Sequence, residues 1–358
     1  MTRRFCAASL AITAGLTLVV IIPLDARKQA APEPTQGLTI PNRPAASVFK
    51  GTSGERWSSE VSFDRRSRSV TVALSVQDAN GYFVPRLRHE NFAVYEDGRR
   101  QTNVTVEIEH APVTLALLLE GGGRYQQLNR EIATEIKWAV RPLLGSLGRR
   151  DKVAVFSYAD TLTTVMDFDR PLADLEPTLN RLDPPGFSEA NLYDALIAVL
   201  DRMKAVEGRK AILLASSGID TFSRASFEDV LAAAERSRTP VYTIDLSGVV
   251  TQLADSGPLA RLDWARAGEQ LRTLARSTGG RAYEGASVGD ALPIYDDLME
   301  HLRIRYVITY IPDGPAPEGA RHVVRVELID RNGAPLRIVD AAGRSVAARV
   351  IAQASYES

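Results

Sequence analysis

An α/β fold, doubly wound and Rossmann-like around a mostly parallel sheet, is encoded by residues 112–303, and a small β-sandwich-like module by the flanks at 60–111 and 304–358. Three patterns carry this reading. Short apolar runs alternate with helical periodicities through 112–303, as stacked layers of strand and covering helix require. Period-two alternation fills 60–111, and it returns over 304–358. The two flanks are therefore expected to pair in space.

Val113 to Leu119 is apolar apart from Thr114, the pattern of a strand covered on both faces. Leu128, Ile132, Ile136, Val140, Leu143 and Leu147 follow near helical spacing. Val153 to Tyr158 forms the next strand, and only Ala159-Asp160 separates it from Thr161 to Met166, so that pair is expected to be antiparallel. Further strands are Ala211 to Ala215, Val241 to Leu246 and Arg281 to Glu284. Helices are expected around Leu192 to Met203, Phe227 to Ala234, Leu271 to Ala275 and Leu292 to Leu302. In the flanks, Val70, Val72, Leu74 and Val76 alternate, and Asn80-Gly81, Asp97-Gly98 and Asn332-Gly333 supply tight-turn chemistry. Tyr306 to Tyr310, Val324 to Leu328 and Val346 to Ile351 complete the module.

Arg3 and Arg4 precede an uncharged, mostly apolar run from Phe5 to Leu24. Residues 1–24 read as a signal peptide or an N-terminal anchor, which places the remainder outside the cytoplasm, in the periplasm, at the envelope or secreted. Membrane attachment through residues 5–24 is the alternative to cleavage. Residues 25–59 carry Pro32, Pro34, Pro41 and Pro44 among small and polar residues and read as a linker.

Composition narrows the function. With 43 Lys and Arg against 44 Asp and Glu, no global field draws the chain onto nucleic acid. A single cysteine, Cys6, excludes a disulfide framework and thiolate metal clusters. His89, His110, His301 and His322 are scattered, with no H-E-x-x-H spacing. Asp167 with Asp169, and Asp296 with Asp297, read as solvated surface acids, and Arg65, Arg66 and Arg68 as an exposed charge run.

In a doubly wound sheet, ligands gather beyond the carboxyl ends of the strands where the strand order reverses. Those ends are Glu120-Gly121-Gly122-Gly123-Arg124 and Ser216-Ser217-Gly218-Ile219-Asp220. G-x-x-x-x-G-K-[ST] is absent, and the third glycine of G-x-G-x-x-G would fall on Gln126, so a phosphate cradle is disfavoured. Ser216 and Ser217 lack both a G-x-S-x-G setting and a histidine partner motif, which disfavours a nucleophile.

Val84-Pro-Arg-Leu-Arg-His-Glu-Asn-Phe-Ala-Val-Tyr-Glu-Asp-Gly98, Pro112-Val-Thr-Leu-Ala-Leu-Leu-Leu119, Leu192-Tyr-Asp-Ala-Leu196 and Tyr306-Val-Ile-Thr-Tyr310 occur in that order. In these segments the chain resembles the von Willebrand factor A-related domain proteins described from acidobacteria. The resemblance implies an adhesion-type module, in which a D-x-S-x-S loop, a Thr and a later Asp hold Mg²⁺ while a partner's carboxylate completes the shell. Here those places fall on Glu120, Gly122 and Arg124, on Ala190, and on Ser217. Mg²⁺ demands near-octahedral oxygen ligands, which this set does not supply. The expectation is a non-catalytic protein-binding module without a metal or other cofactor, its partner a protein, its recognition carried by these loops and by the exposed part of the turn at Gly121 to Gly123. Two rearrangements stand beside it. Ser188, Ser216 or Asp220 with Glu120 would form a looser oxygen site for an Mg²⁺-dependent adhesin; or Arg124 would fill the space and pair with Glu120 or Asp220. A structural subunit of an envelope complex is a third reading.

Overall fold

The computed structural model describes residues 38–39, 60–78, 83–122, 140–182, 188–247, 258–284, 291–314, 319–339, 343–351 and 355–357. The leading flank supplies β1 (Leu38–Thr39), β2 (Glu60–Asp64), β3 (Ser69–Asp78), β4 (Phe92–Glu96), β5 (Arg99–Arg100) and β6 (Val104–His110). The central region contains β7 (Val113–Glu120), α1 (Leu143–Ser146), β8 (Lys152–Tyr158), β9 (Leu162–Met166), α2 (Leu175–Asn180), α3 (Leu192–Lys204) and β10 (Arg209–Ser216). It continues through α4 (Phe227–Ser237), β11 (Val241–Asp245), α5 (Pro258–Thr278), β12 (Ala282–Glu284) and α6 (Ala291–Arg303). The trailing flank holds β13 (Ile304–Tyr310), β14 (Arg321–Leu328), β15 (Ile338–Val339), β16 (Ser345–Val346), β17 (Ala348–Ile351) and β18 (Ser355–Glu357).

The central sheet is mostly parallel, in the order β12-β11-β10-β7-β8-β9, and β9 is its antiparallel edge, as the two-residue link to β8 requires. Alternate residues of β7 feed two cores. Leu115, Leu117 and Leu119 join one face with Tyr295 and Leu298 of α6; Ala116 and Leu118 join the other with Leu196 and Val199 of α3. Burial on both faces is why this strand is a continuous apolar run. Each fully buried leucine contributes about 1.5–3 kcal/mol to holding the layers together. α4 begins where Ser226 and Asp229 form a reciprocal capping box, satisfying donors that the first turn leaves open.

The flanks form two antiparallel sheets, β17-β3-β13-β6 with β2 alongside, and β18-β14-β4-β5. Val70, Val72, Leu74 and Ile308 of the first sheet and Phe92, Val94, Val324 and Val326 of the second share one apolar core. The pairing expected between the two ends of the chain is thus present. At the β4–β5 turn, Asp97 has φ 48° and Gly98 φ 81°, the left-handed pair that a tight hairpin needs. Asn332-Gly333 also lies in a turn, with Gly333 donating to the Asp330 carbonyl. Asn80-Gly81 lies outside the described residues.

The α/β region is inserted between neighbouring strands. β6 ends at His110, β13 starts at Ile304, and these two residues are register partners. Charged side chains latch the junction. Asp151 is buried at the start of β8, where Oδ1 accepts from the Val113 N–H at 2.9 Å, Oδ2 accepts from the Gly148 N–H at 2.6 Å, and Arg303 pairs with it. Arg209 donates to the Leu302 carbonyl at 3.2 Å and pairs with Glu109 of β6. His301 accepts from the Gln77 amide of β3 and bonds the Tyr242 hydroxyl at 2.8 Å, so this histidine ties module to sheet.

Three expectations need correction. Leu38 and Thr39, inside the presumed linker, pair in parallel with Ile338 and Val339, so an apolar residue among the prolines found a strand to join. The helix expected from Leu128 to Leu147 is described only from residue 140, and there it is broken by a turn at 141–142, where Pro142 has no N–H to offer. Asp297 is no surface acid: it is 5% exposed, and its Oδ2 accepts from Arg281 at 2.5 Å and from the Tyr283 hydroxyl at 3.0 Å. The segment 1–24, with Cys6, lies outside the described residues; among the described residues no helix is long and apolar enough to cross a membrane.

Asp151→Ala removes the acceptor of two backbone donors and the partner of Arg303 at once. It is expected to cost about 3–5 kcal/mol in urea unfolding, whereas Asp151→Asn, which keeps an acceptor, costs less. Equal stability of the alanine variant and the wild type would contradict this account of the junction.

Candidate functional site

Strand order reverses at β7, which has β8 on one side and β10 on the other, so the carboxyl ends of β7 and β10 meet at the switch point. The parallel register sets Ala215 against Leu119, which brings Ser216 and Ser217 alongside Glu120. Glu120 is 7% exposed, and its carboxylate faces inward along the sheet's upper edge.

Four donors converge on it. Oε2 accepts from the Ser217 N–H at 2.5 Å, the Ser216 hydroxyl at 3.1 Å and the Tyr158 hydroxyl at 3.3 Å. Oε1 accepts from the Ser217 hydroxyl at 3.0 Å. The Tyr158 oxygen also lies 2.8 Å from Ser216 Oγ, closing the network. Burial raises the Glu120 carboxyl above its ordinary value of 4.5, against the lowering effect of the donors around it. Burial first, and then the Glu120 charge, push the Tyr158 phenol well above 10, so it stays a neutral donor. Gly218 follows with φ 77°, and a Cβ there would meet the Ala267 carbonyl and Leu271 at 3.0 Å.

The other strand-end residues are drawn into the protein's own structure. The Gly121 N–H donates to the Tyr158 carbonyl at 2.8 Å. Gly122 is buried, and a Cβ on it would stand 2.3 Å from Ser188 Oγ, 2.5 Å from the Glu189 carbonyl and 2.8 Å from Ala159 Cβ. Its missing side chain therefore permits internal packing, and Gly122 does not belong to the exposed part of the turn. Gly123 and Arg124 lie outside the described residues, and so does the expected Arg124 pairing with Glu120 or Asp220. Ala190 is 1% exposed; its N–H donates to Thr221 Oγ1 at 2.7 Å, and its carbonyl accepts from the Thr221 N–H. Asp220 Oδ1 accepts from the Tyr193 N–H at 3.1 Å and the Ser223 hydroxyl at 2.5 Å.

Several residues that build this face were not singled out from sequence. Tyr158 is the most consequential, and only its place at the end of an apolar run hinted at it. Asp160 accepts from the Glu189 N–H at 2.5 Å, and Asp194 accepts from the Arg224 and Ala225 N–H groups at 3.0 Å each. Asp194 lies in the Leu192-to-Leu196 motif, whose polar positions thus brace the neighbouring loop. Beside that loop, Tyr193, Asp220, Asp263, Arg266 and Gln270 line an open polar cleft of about 270 Å³. Phe222, on the same loop, is 73% exposed.

The Mg²⁺ shell that the sequence resemblance implies does not fit the described donors. Gly122 and Ala190 offer no side-chain oxygen, Ser216 and Ser217 point their protons at Glu120, and Asp220 serves the α3 terminus. Ser188 Oγ is buried without a hydrogen-bond partner among the described residues, but one hydroxyl is far short of six oxygen ligands. Nor do Ser216 and Ser217 meet a histidine among the described residues; His301 and His322 are engaged elsewhere.

No protein-family model matches the chain, and no curated protein matches it. Solved structures similar to it include proximal thread matrix protein 1 from the mussel byssus, at 14% identity and TM-score 0.43, covering 57% of this chain and 49% of that one. A von Willebrand factor type A structure from Catenulispora acidiphila is 13% identical with TM-score 0.41, covering 71% and 73%. The BatB protein of Bacteroides thetaiotaomicron is 14% identical with TM-score 0.38, covering 53% and 98%. The chain thus spans about half the length of the mussel protein.

Glu120→Ala leaves a buried N–H and three hydroxyls without their acceptor and is expected to destabilise by about 2–4 kcal/mol. Glu120→Gln keeps an acceptor for Oε2's donors and is expected to fall within about 1 kcal/mol of wild type. The raised carboxyl means that the folded state holds the proton more tightly than the unfolded one. Its stabilisation is full below pH 4.5 and is lost as pH rises through the folded value. Urea midpoints of wild type relative to Glu120→Gln should therefore fall as pH is raised from 4 to 8; a constant difference would contradict the burial of an ionisable group here.

Proposed function

We propose that this chain is an exported or membrane-anchored, non-catalytic protein-binding module of von Willebrand factor A type, whose strand-end surface recognises a protein partner without a metal ion. The observation that carries the reading is the Glu120 carboxylate, saturated by four internal donors where an adhesion-type domain would ligate a cation. A cation there would have to displace those donors and gather ligands that the neighbouring positions do not provide. The surface that remains is pre-organised. Asp160, Asp194, Asp220 and Thr221 hold the loops by hydrogen bonds to backbone N–H groups, which reduces the ordering cost of association. On that braced loop, Phe222 presents a large apolar ring beside a polar cleft, the pairing of anchor and polar rim that protein interfaces use. The flanking sheets, read as a β-sandwich, would carry this surface away from an anchor formed by residues 5–24.

Phe222→Ala should leave the unfolding midpoint unchanged and reduce capture of partner from native envelope membranes at least roughly tenfold, as loss of an interface anchor does. Capture by chelator-treated protein should be the same with and without added Mg²⁺. Capture that needs Mg²⁺ would support the adhesin with a rearranged oxygen site, and undiminished capture by Phe222→Ala would move recognition off this loop.

A further inference from the structure

The β module carries a second constellation, on a different sheet from the strand-end face. Glu96 closes β4, Asp97 occupies the following turn, and His322 lies on β14, which pairs with β4. Val324 is opposite Glu96 and Tyr356 opposite His322, so the alternation of the strands puts Glu96, His322 and Tyr356 on one face of the sheet. The side chain of Glu96 is 7% exposed, that of His322 8%, and that of Asp97 48%. One Glu oxygen, one Asp oxygen and one imidazole nitrogen all lie within 4.8 Å of one another.

The orientation of each group is held from outside the trio. Glu96 Oε2 accepts from the Tyr310 hydroxyl at 2.7 Å and from the Tyr356 hydroxyl at 3.1 Å. This leaves Oε1 turned toward His322 Nδ1 at 3.7 Å, beyond hydrogen-bond reach. Asp97 Oδ1 accepts from the Val323 N–H at 2.9 Å, and its Oδ2 is hydrogen-bonded to the same imidazole nitrogen at 2.8 Å. The His322 ring stacks on Tyr356 at 5.1 Å, and its Nε2 is buried with no partner among the described residues.

We infer that Glu96 Oε1, Asp97 Oδ2 and His322 Nδ1 form a binding site for a borderline divalent ion of the Zn²⁺ class. Two carboxylates and an imidazole are ligands that such ions take, and tetrahedral bonds of about 2.0–2.1 Å place neighbouring ligand atoms about 3.3 Å apart. An ion there would replace the 2.8 Å hydrogen bond between Asp97 Oδ2 and His322 Nδ1, spread that pair by about half an ångström and draw in Glu96 Oε1 from 3.7 Å. The two tyrosine hydroxyls and the Val323 N–H are the outer partners that fix ligand direction in metal sites. Exposed Asp97 gives the ion a way in and leaves a fourth position to water. The assignment does not depend on the strand-end reading, and it uses none of its residues.

Calorimetric titration of the chelator-treated full chain with ZnCl₂ tests it. Wild type and Glu120→Gln should each saturate at one ion per chain through this site. His322→Ala and Asp97→Asn should weaken binding at least roughly tenfold, and Tyr356→Phe should weaken it less. Asp97→Asn also guards against a folding failure of His322→Ala, because asparagine tolerates the left-handed backbone at position 97 and keeps an acceptor for the Val323 N–H. Co²⁺ in place of Zn²⁺ should give the intense visible absorption of four-coordinate cobalt. No saturable Zn²⁺ binding, Asp97→Asn titrating like wild type, or a pale six-coordinate Co²⁺ spectrum would each overturn the assignment. Loss of binding in Glu120→Gln alone would place the ion at the strand ends instead, which would overturn it as well.

Discussion

The antiparallel pairing of β6 with β13 is the constraint on which the architecture rests. His110 and Ile304 are partners at its end, so a chain that leaves the β module for the whole α/β region must return to the adjacent position. Loop-closure entropy grows only slowly with length, so an insertion of this size is tolerable when the inserted region folds on its own core. The layers around β7, with their two apolar clusters, provide that core. Asp151, Arg209, Arg303 and His301 then couple the inserted region to the sheets that enclose it. These charges are held by backbone groups as well as by each other, which is what makes burial of such groups tolerable.

Glu120 shows how a buried acid at the switch point is accommodated. A carboxylate at the end of a buried strand needs compensation, and the chain provides it from Tyr158, Ser216 and Ser217. Gly218 lets the backbone turn immediately after these serines, so the Ser217 N–H reaches the carboxylate while the loop continues toward Asp220. The outer loops are stitched by side-chain oxygens to backbone donors. Phe222 and the adjacent cleft are the exposed part of this face. In the Glu96, Asp97 and His322 group, Asp97 answers the imidazole directly while Glu96 Oε1 stands beyond hydrogen-bond reach of it.

The alternation of β3, the apolar run of β7, the two-residue link before β9 and the Asp97-Gly98 turn were legible because each depends on local chemistry: side-chain period, turn conformation or chain reach. The switch point was legible too, since strand order in doubly wound sheets follows the alternation of elements, and Glu120, Ser216 and Ser217 do meet there. Leu38 and Asp297 were not, because what surrounds them comes from distant segments: Ile338 for the first, Arg281 and Tyr283 for the second. His322 read as a scattered histidine for the same reason, being 225 residues from the Asp97 it contacts.

By itself, the sequence determined the main strands and helices of the sheet and the module and which loops lie at the switch point, since periodicity and turn chemistry act over a few residues. Only the tertiary structure decided that Gly122 faces inward, that Glu120 is answered by internal donors, and that Glu96, Asp97 and His322 converge. Polar groups take their roles from the partners that folding brings within hydrogen-bond distance, and those partners are far away along the chain.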